Sequence, residues 1–177
     1  MSRKSYEMVL TNSVGDVIGK LSTAAGTLTR PANTTAYAVN DTVTDSGTAG
    51  ISVSIAPSND TPMDLARLVI TTADTGPGAA SAQFEAYIYN AAVTTSADNA
   101  AFTVTQAGFC GLMTGTFKAA SDGSFCELTP VQGALLGAAP VSGAKTFFIA
   151  LKTLTIFTPS ANSTVLTLTL KGYPLNA

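Results

Sequence analysis

The sequence predicts an all-β protein: an antiparallel β-sandwich, jelly-roll-like, with eight or nine strands. Three observations lead there. Apolar residues alternate with Ser and Thr at period two in several short runs, the pattern of a strand with one buried face. Clusters of Gly, Pro, Asn and Asp separate those runs. No stretch sustains a helical period, and short strands at regular spacing with such turns argue for a sandwich or barrel.

Taken in order, a first strand is expected at residues 6–11. Ile51, Val53 and Ile55 then alternate with Ser52 and Ser54. Residues 62–66 have room for one helical turn. Further strands are expected at 65–72, 82–90, 101–106, 113–119, 124–128 and 146–157, and Leu166, Leu168 and Leu170 alternate with Thr167 and Thr169 in a last one. Residues 146–157 are apolar on both faces, so this strand is expected to be central in its sheet or covered by a partner. Asp122-Gly123, between Phe117 and Phe125, is the strongest hairpin signal. In the strand at 84–90, Phe84, Ala86 and Ile88 point one way and Glu85, Tyr87 and Tyr89 the other. Both faces carry apolar bulk, which leaves two readings: a central strand with a partly covered outer face, or a subunit interface, where Tyr is enriched.

At 177 residues one domain is expected, large enough to bury a core without staples. Charged residues are 11% and hydrophobic residues 46%, too apolar a balance for disorder. Thr, Ser, Asn, Gly and Ala must cover the surface, which suits an exterior packed partly against neighbours. A net charge of −2 argues against direct nucleic-acid binding. Arg3, Lys4, Lys20 and Arg30 concentrate basic charge in the first 30 residues, either as a solubilising terminus or as an arm that docks on an acidic neighbour. No signal peptide is recognised, and the most apolar stretch is too short to span a membrane, so a soluble protein made in a cytoplasm is expected. Cys110 and Cys126 are expected as free thiols; a disulfide between neighbouring strands is the alternative.

Chemical signals are few. The chain has no His, which removes His-based nucleophilic triads and His-ligated zinc. Gly15-Asp-Val-Ile-Gly-Lys20 is one residue short of a phosphate loop and continues with Leu21 where Ser or Thr is needed. Ser142-Gly-Ala-Lys145 fits Ser-x-x-Lys but runs straight into a strand. Glu85 and Glu127 have no spacing that argues for a glycosidase pair, and Asp41, Asp45, Asp60 and Asp64 lack the ligand order of a calcium loop. No enzyme activity, cofactor or metal is expected.

Two segments carry a resemblance. Arg30-Pro-Ala-Asn-Thr-Thr-Ala-Tyr37 and its continuation to Val43, together with Phe84 to Asn90 followed by Ala97-Asp-Asn-Ala-Ala-Phe102, resemble tailed-bacteriophage virion structural proteins of the jelly-roll head decoration or cement type. Ala66 to Ile70, Phe147 to Pro159 and Val165 to Leu170 extend the likeness in the same order. Glu85 departs from it, standing where relatives usually carry a basic residue. The resemblance implies a jelly-roll domain over 30–177, with 1–29 as an N-terminal arm or added strand. It further implies a capsid-stabilising role on the virion surface, the major capsid protein as partner, self-association as a homotrimer, and no cofactor. A tail- or fibre-associated protein and a receptor-glycan binding module are the alternatives. The residues expected at an interface are Arg3, Lys4, Lys20, Glu85, Tyr87 and Tyr89.

Overall fold

The computed structural model describes residues 10–11, 17–18, 20–104, 107–133 and 135–175. Thirteen strands and one short helix are found among them: β1 (Leu10–Thr11), β2 (Val17–Ile18), β3 (Ser22–Thr29), β4 (Thr42–Val43), β5 (Ile51–Ser54), β6 (Met63–Thr72), α1 (Gly76–Ala79), β7 (Gln83–Tyr89), β8 (Phe109–Thr116), β9 (Lys118–Ala120), β10 (Gly123–Pro130), β11 (Leu136–Ala138), β12 (Thr146–Thr153) and β13 (Val165–Pro174). β1 and β2 pair with each other; the other eleven form one curled antiparallel sheet.

Five strands have only two or three residues, and the remaining eight make the framework. They fall into two layers, β3-β13-β6-β10 and β5-β12-β7-β8. β10 belongs to both: Ser124–Leu128 pair with β6, then Thr129 and Pro130 cross to β8. Along the framework the chain changes layer at every connection except β7 to β8, which is jelly-roll order. The expected fold class is therefore observed. The opposite seam is a close approach of β3 to β5. A Cβ on Gly26 would lie 2.7 Å from the Ser52 carbonyl oxygen and 2.9 Å from Ile51 Cγ2, so only glycine lets the two strands meet there.

Alternation fills the space between the layers. Leu166, Leu168 and Leu170 of β13 face Phe84, Ala86 and Ile88 of β7 and Phe147, Ile149 and Leu151 of β12 in one cluster. This settles which face of β7 is the core. Tyr37 stacks on Phe157, with ring centres 4.8 Å apart, and Phe157 in turn touches Phe84. β12 is central, flanked by β4 and β5 on one side and β7 on the other. Its outer side chains Phe148 and Ala150 pack with Tyr89, Val93, Phe102 and Val104. Residues 90–104 thus fold back over the β7-β12 outer face as a strap. Its own chain, and not a partner, explains the two-sided apolar character of β12.

Several local expectations need correction. Residues 62–66 are not a helical turn: Met63 and Leu65 are fully buried and pair with β11 and β13. The helical turn is instead α1, at Gly76-Pro-Gly78, with Pro in its first turn. Residues 101–106 make only isolated bridges at Ala101 and Val104, because the strap bonds to several neighbours in turn; 105–106 lie outside the described residues. β12 stops at Thr153, whose hydroxyl donates to the Ala38 carbonyl and turns the chain from the sheet. The hairpin turn is Ser121-Asp122, one residue earlier than the Asp-Gly signal, and Gly123 already pairs with Ala120. Gly123 is required by proximity: a Cβ there would lie 2.1 Å from the Thr72 carbonyl oxygen. β3 carries no strong pattern in Ser-Thr-Ala-Ala-Gly-Thr-Leu-Thr, yet pairs with β13 over eight positions. Of the two readings for 1–29, residues 22–29 are therefore a strand of the sheet. The expected strand at 6–11 is described only at its end, as β1.

The Gly26 contact gives a direct test. Gly26→Ala is expected to cost about 1–3 kcal/mol by overpacking the seam. Gly137→Ala, whose Cβ would meet nothing closer than 3.6 Å, should cost less than about 0.5 kcal/mol. Urea unfolding midpoints of the two variants measure the difference.

Candidate interface and the buried polar network

β7 aims Glu85 and Tyr87 at the outer face, where the register sets Glu85 opposite Lys152 and Tyr87 opposite Ala150. Lys152 Nζ lies 2.5 Å from Glu85 Oε2 and donates to Tyr87 Oη at 3.0 Å. It also sits over the Tyr87 and Phe102 rings, 5.3 and 5.9 Å from their centres. Partial burial pulls the Lys152 pKa down, but the hydrogen bonds and charge of Glu85 and Tyr87 outweigh it and hold the ammonium above its usual range. A shallow groove of about 430 Å³ opens beside this pair, edged by Asn40, Thr103 and Val104 as well as the two rings.

Tyr89 has a different fate. It is fully buried beneath the strap, and burial pushes its phenol up to about 12. A bulge between Ile88 and Tyr89 brings it opposite Phe109, whose ring packs edge-on to it at 5.6 Å. Tyr89 is part of the chain's own packing and is not offered to a partner. Lys20 is exposed just before β3, apart from the β7 face; Arg3 and Lys4 lie outside the described residues. Among the described residues of the expected interface set, Glu85 and Tyr87 come together, while Tyr89 is buried and Lys20 precedes a strand of the other layer.

A larger constellation lies at one end of the sandwich. Arg30, directly after β3, is 2% exposed. Its Nε donates to Tyr37 Oη at 2.6 Å, and its guanidinium stacks on the same ring at 4.9 Å. Tyr37 Oη donates to Asp98 Oδ1 at 2.7 Å, which also accepts the Thr44 amide at 3.0 Å. On the other side Arg30 Nη1 lies 3.8 Å from Asp74 Oδ2, both side chains 1% exposed. Asp74 Oδ1 accepts the Gly76 amide, the Ser160 amide and the Ser160 hydroxyl, all within 2.9 Å. Ser124 Oγ donates to the Asp74 carbonyl and accepts the Gly78 amide. This network caps α1, which has no side-chain cap at Thr75, and ties it to the loop before β13.

Burial governs its titration. Desolvation drives the Tyr37 phenol far above its ordinary value, and raises the Asp98 carboxyl despite the donors from Thr44 and Tyr37. No chemistry that needs a thiolate is favoured either. Cys126 lies in the core with its thiol pushed up to about 12 by burial and the neighbouring Glu127, and Cys110 is half-buried and also raised by burial. Both cysteines are free. Among the described residues no group of three or more His, Cys, Asp or Glu is placed to hold a metal, and no helix is long and apolar enough to cross a membrane.

No family model matches the chain, and no curated protein matches it. Among solved structures, a protein of unknown function from Shewanella oneidensis MR-1 is 10% identical over 94% of this chain and 91% of that one. Its TM-score of 0.17 is too low to support any inference about fold or role.

In the sequence Tyr37 and Asp98 stand out only through the resemblance, and Arg30 through that and the basic charge of the first 30 residues, because charge alone does not reveal burial. Asp74 had no signal beyond a position between a strand and a Gly-Pro turn.

Arg30→Ala strands the buried Asp74 and is expected to cost about 3–5 kcal/mol. Asp98→Ala, which removes the acceptor of Tyr37, should cost about 1–3 kcal/mol, and Asp98→Asn clearly less because the acceptor oxygen is retained. The raised Asp98 pKa also sets a sign. Just above pH 3.8 the folded chain holds a proton that the unfolded chain releases, so this group adds stability as pH falls into that window. Urea unfolding against pH should show this contribution in the native protein and lose it in Asp98→Asn. For the thiols, a maleimide should leave Cys126 unlabelled in the native protein and label both cysteines in denaturant without reductant; failure to label after denaturation would mean a disulfide.

Proposed function

We propose that this protein is a structural component of a tailed-phage virion, a decoration or cement protein that binds the assembled capsid and stabilises it. One observation carries the reading: the two segments that resemble such proteins meet at one point. Arg30 and Tyr37 of the first segment and Asp98 of the second are joined by hydrogen bonds of 2.6 and 2.7 Å. The shared residues therefore act as one scaffold signature, and their coincidence is physically coherent. Jelly-roll strand order and a sparsely charged, Thr-rich exterior support the same reading.

The mechanism is linkage. A protein that binds the assembled shell and not the free coat subunit shifts the equilibrium toward the shell by its binding free energy, summed over many copies. The partner is then the major capsid protein, with self-association into a trimer as the means of matching a lattice, and the location is the virion surface after synthesis in the bacterial host. A specific contact of this kind buries roughly 1,000 Å² or more. No catalytic step is assigned.

The glycan-binding alternative has one feature in its favour, the groove edged by Tyr87 and Phe102. Lys152 already lies over both rings, on the faces where a sugar would stack, which makes this the weaker reading. A tail or fibre location is separated by copy number. Quantitative mass spectrometry of washed virions should find the protein within a few-fold of the coat protein. A handful of copies per particle would place it on the tail, and its absence would end the virion reading.

A further inference from the structure

The two outer faces of the sandwich are not equivalent. The face of β12 and β7 is overlaid by the chain's own strap. Among the described residues nothing overlies β3-β13-β6-β10, where Thr23, Ala25, Thr27, Thr29, Val165 and Phe125 are all exposed. The register arranges this face in rows. Thr27, Thr167, Thr71, Phe125 and Lys118 lie side by side across five strands; Ala25, Thr169, Val69 and Glu127 form the next row; Thr23, Lys171 and Arg67 form the third.

Charge distinguishes this face from the rest of the molecule. It carries Arg67, Lys118 and Lys171 against Glu127 and Asp64, three cations to two anions. The other described residues carry four cations and seven anions. Lys171 and Arg67 stand directly opposite one another on neighbouring strands, a like-charge pair that destabilises a sheet. Among the described residues Arg67 alone of the three has an acid partner, Glu127 at 3.0 Å, and that pair is solvent-exposed and so weakly compensating. Lys118 and Lys171 are left to face outward from a chain whose net charge is negative. Their charge complements carboxylates on an apposed protein surface, while the Thr, Ala and Val rows between them supply an uncharged contact area.

We propose that the outer face of β3-β13-β6-β10 is the docking surface, and that its partner is a protein surface presenting carboxylates to Lys118, Lys171 and Arg67. The proposal rests on the capsid reading above and assigns the coat shell as that surface. It also relocates the contact away from the β7 face.

The test is binding of the full chain to shells assembled from the coat protein encoded with it. The wild type should bind, with affinity that falls as salt rises. Lys171→Glu together with Lys118→Glu should weaken binding at least tenfold and flatten the salt dependence, while Lys145→Glu, in an exposed loop, should leave it unchanged. Circular dichroism verifies that the variants fold. In the bound wild type Lys118 and Lys171 should resist acylation and Lys145 should react. Shell binding that survives the double reversal but is lost in Tyr87→Ala would overturn this face and keep the capsid reading. No binding by the wild type would overturn both. Loss of self-association in the double variant without shells, or duplex DNA binding through the same lysines, would overturn the assigned partner.

Discussion

A single buried guanidinium organises one end of this molecule. Arg30 enters the interior at the residue where β3 leaves the sheet, and an unpaired charge there would be prohibitive. It is tolerated because Tyr37, Asp74 and Thr164 converge on it, with Asp98 behind Tyr37. These residues come from the loop after β3, the turn after β6, the segment before β13 and the strap. Their only common feature is position at the same end of both layers. The network is thus a register device: it requires the two layers, α1 and the strap to be placed correctly together. The Asp74 carboxylate shows the economy of the arrangement, since it neutralises Arg30, caps α1 and fixes Ser160 at once.

The apolar core and this network do different work. The core is non-directional and accepts any alternating strand of suitable volume. In a topology that changes layer at almost every connection, alternation alone leaves strand order under-specified. Directional bonds between distant segments, such as Arg30 to Thr164 or Thr153 to Ala38, discriminate among orders that bury similar area. The glycine at the β3–β5 seam adds a steric condition of the same kind. Such long-range closure also implies slow folding relative to helical proteins of this size.

The fold was legible in the sequence where periodicity was strong. Leu166 to Leu170 and Ile51 to Ile55 gave their faces directly, and Phe84, Ala86 and Ile88 gave a face without revealing which side was inside. β3 was illegible because its side chains are small and only half-buried, so its membership is decided by pairing with β13 and not by pattern. The short strands β4, β9 and β11 have two or three residues each, too few to show a period in sequence. The site was less legible still. Tyr89 shares parity with Glu85 and Tyr87, and only the strap, which returns thirteen to fifteen residues later in Phe102 and Val104, removes it from the surface. Charge segregation on the β3-β13-β6-β10 face is invisible along the chain, since Arg67, Lys118 and Lys171 are brought together solely by cross-strand register.

The role proposed for the chain is that of a rigid β scaffold that adheres to a shell. A reconstruction of the virion at side-chain resolution tests it most directly. The account predicts the sandwich repeated over the head lattice, Arg30 enclosed between Tyr37 and Asp74, and the β3-β13-β6-β10 face against the coat. A head surface without the sandwich, or one contacted through the strap with Lys118 and Lys171 facing solvent, would contradict it.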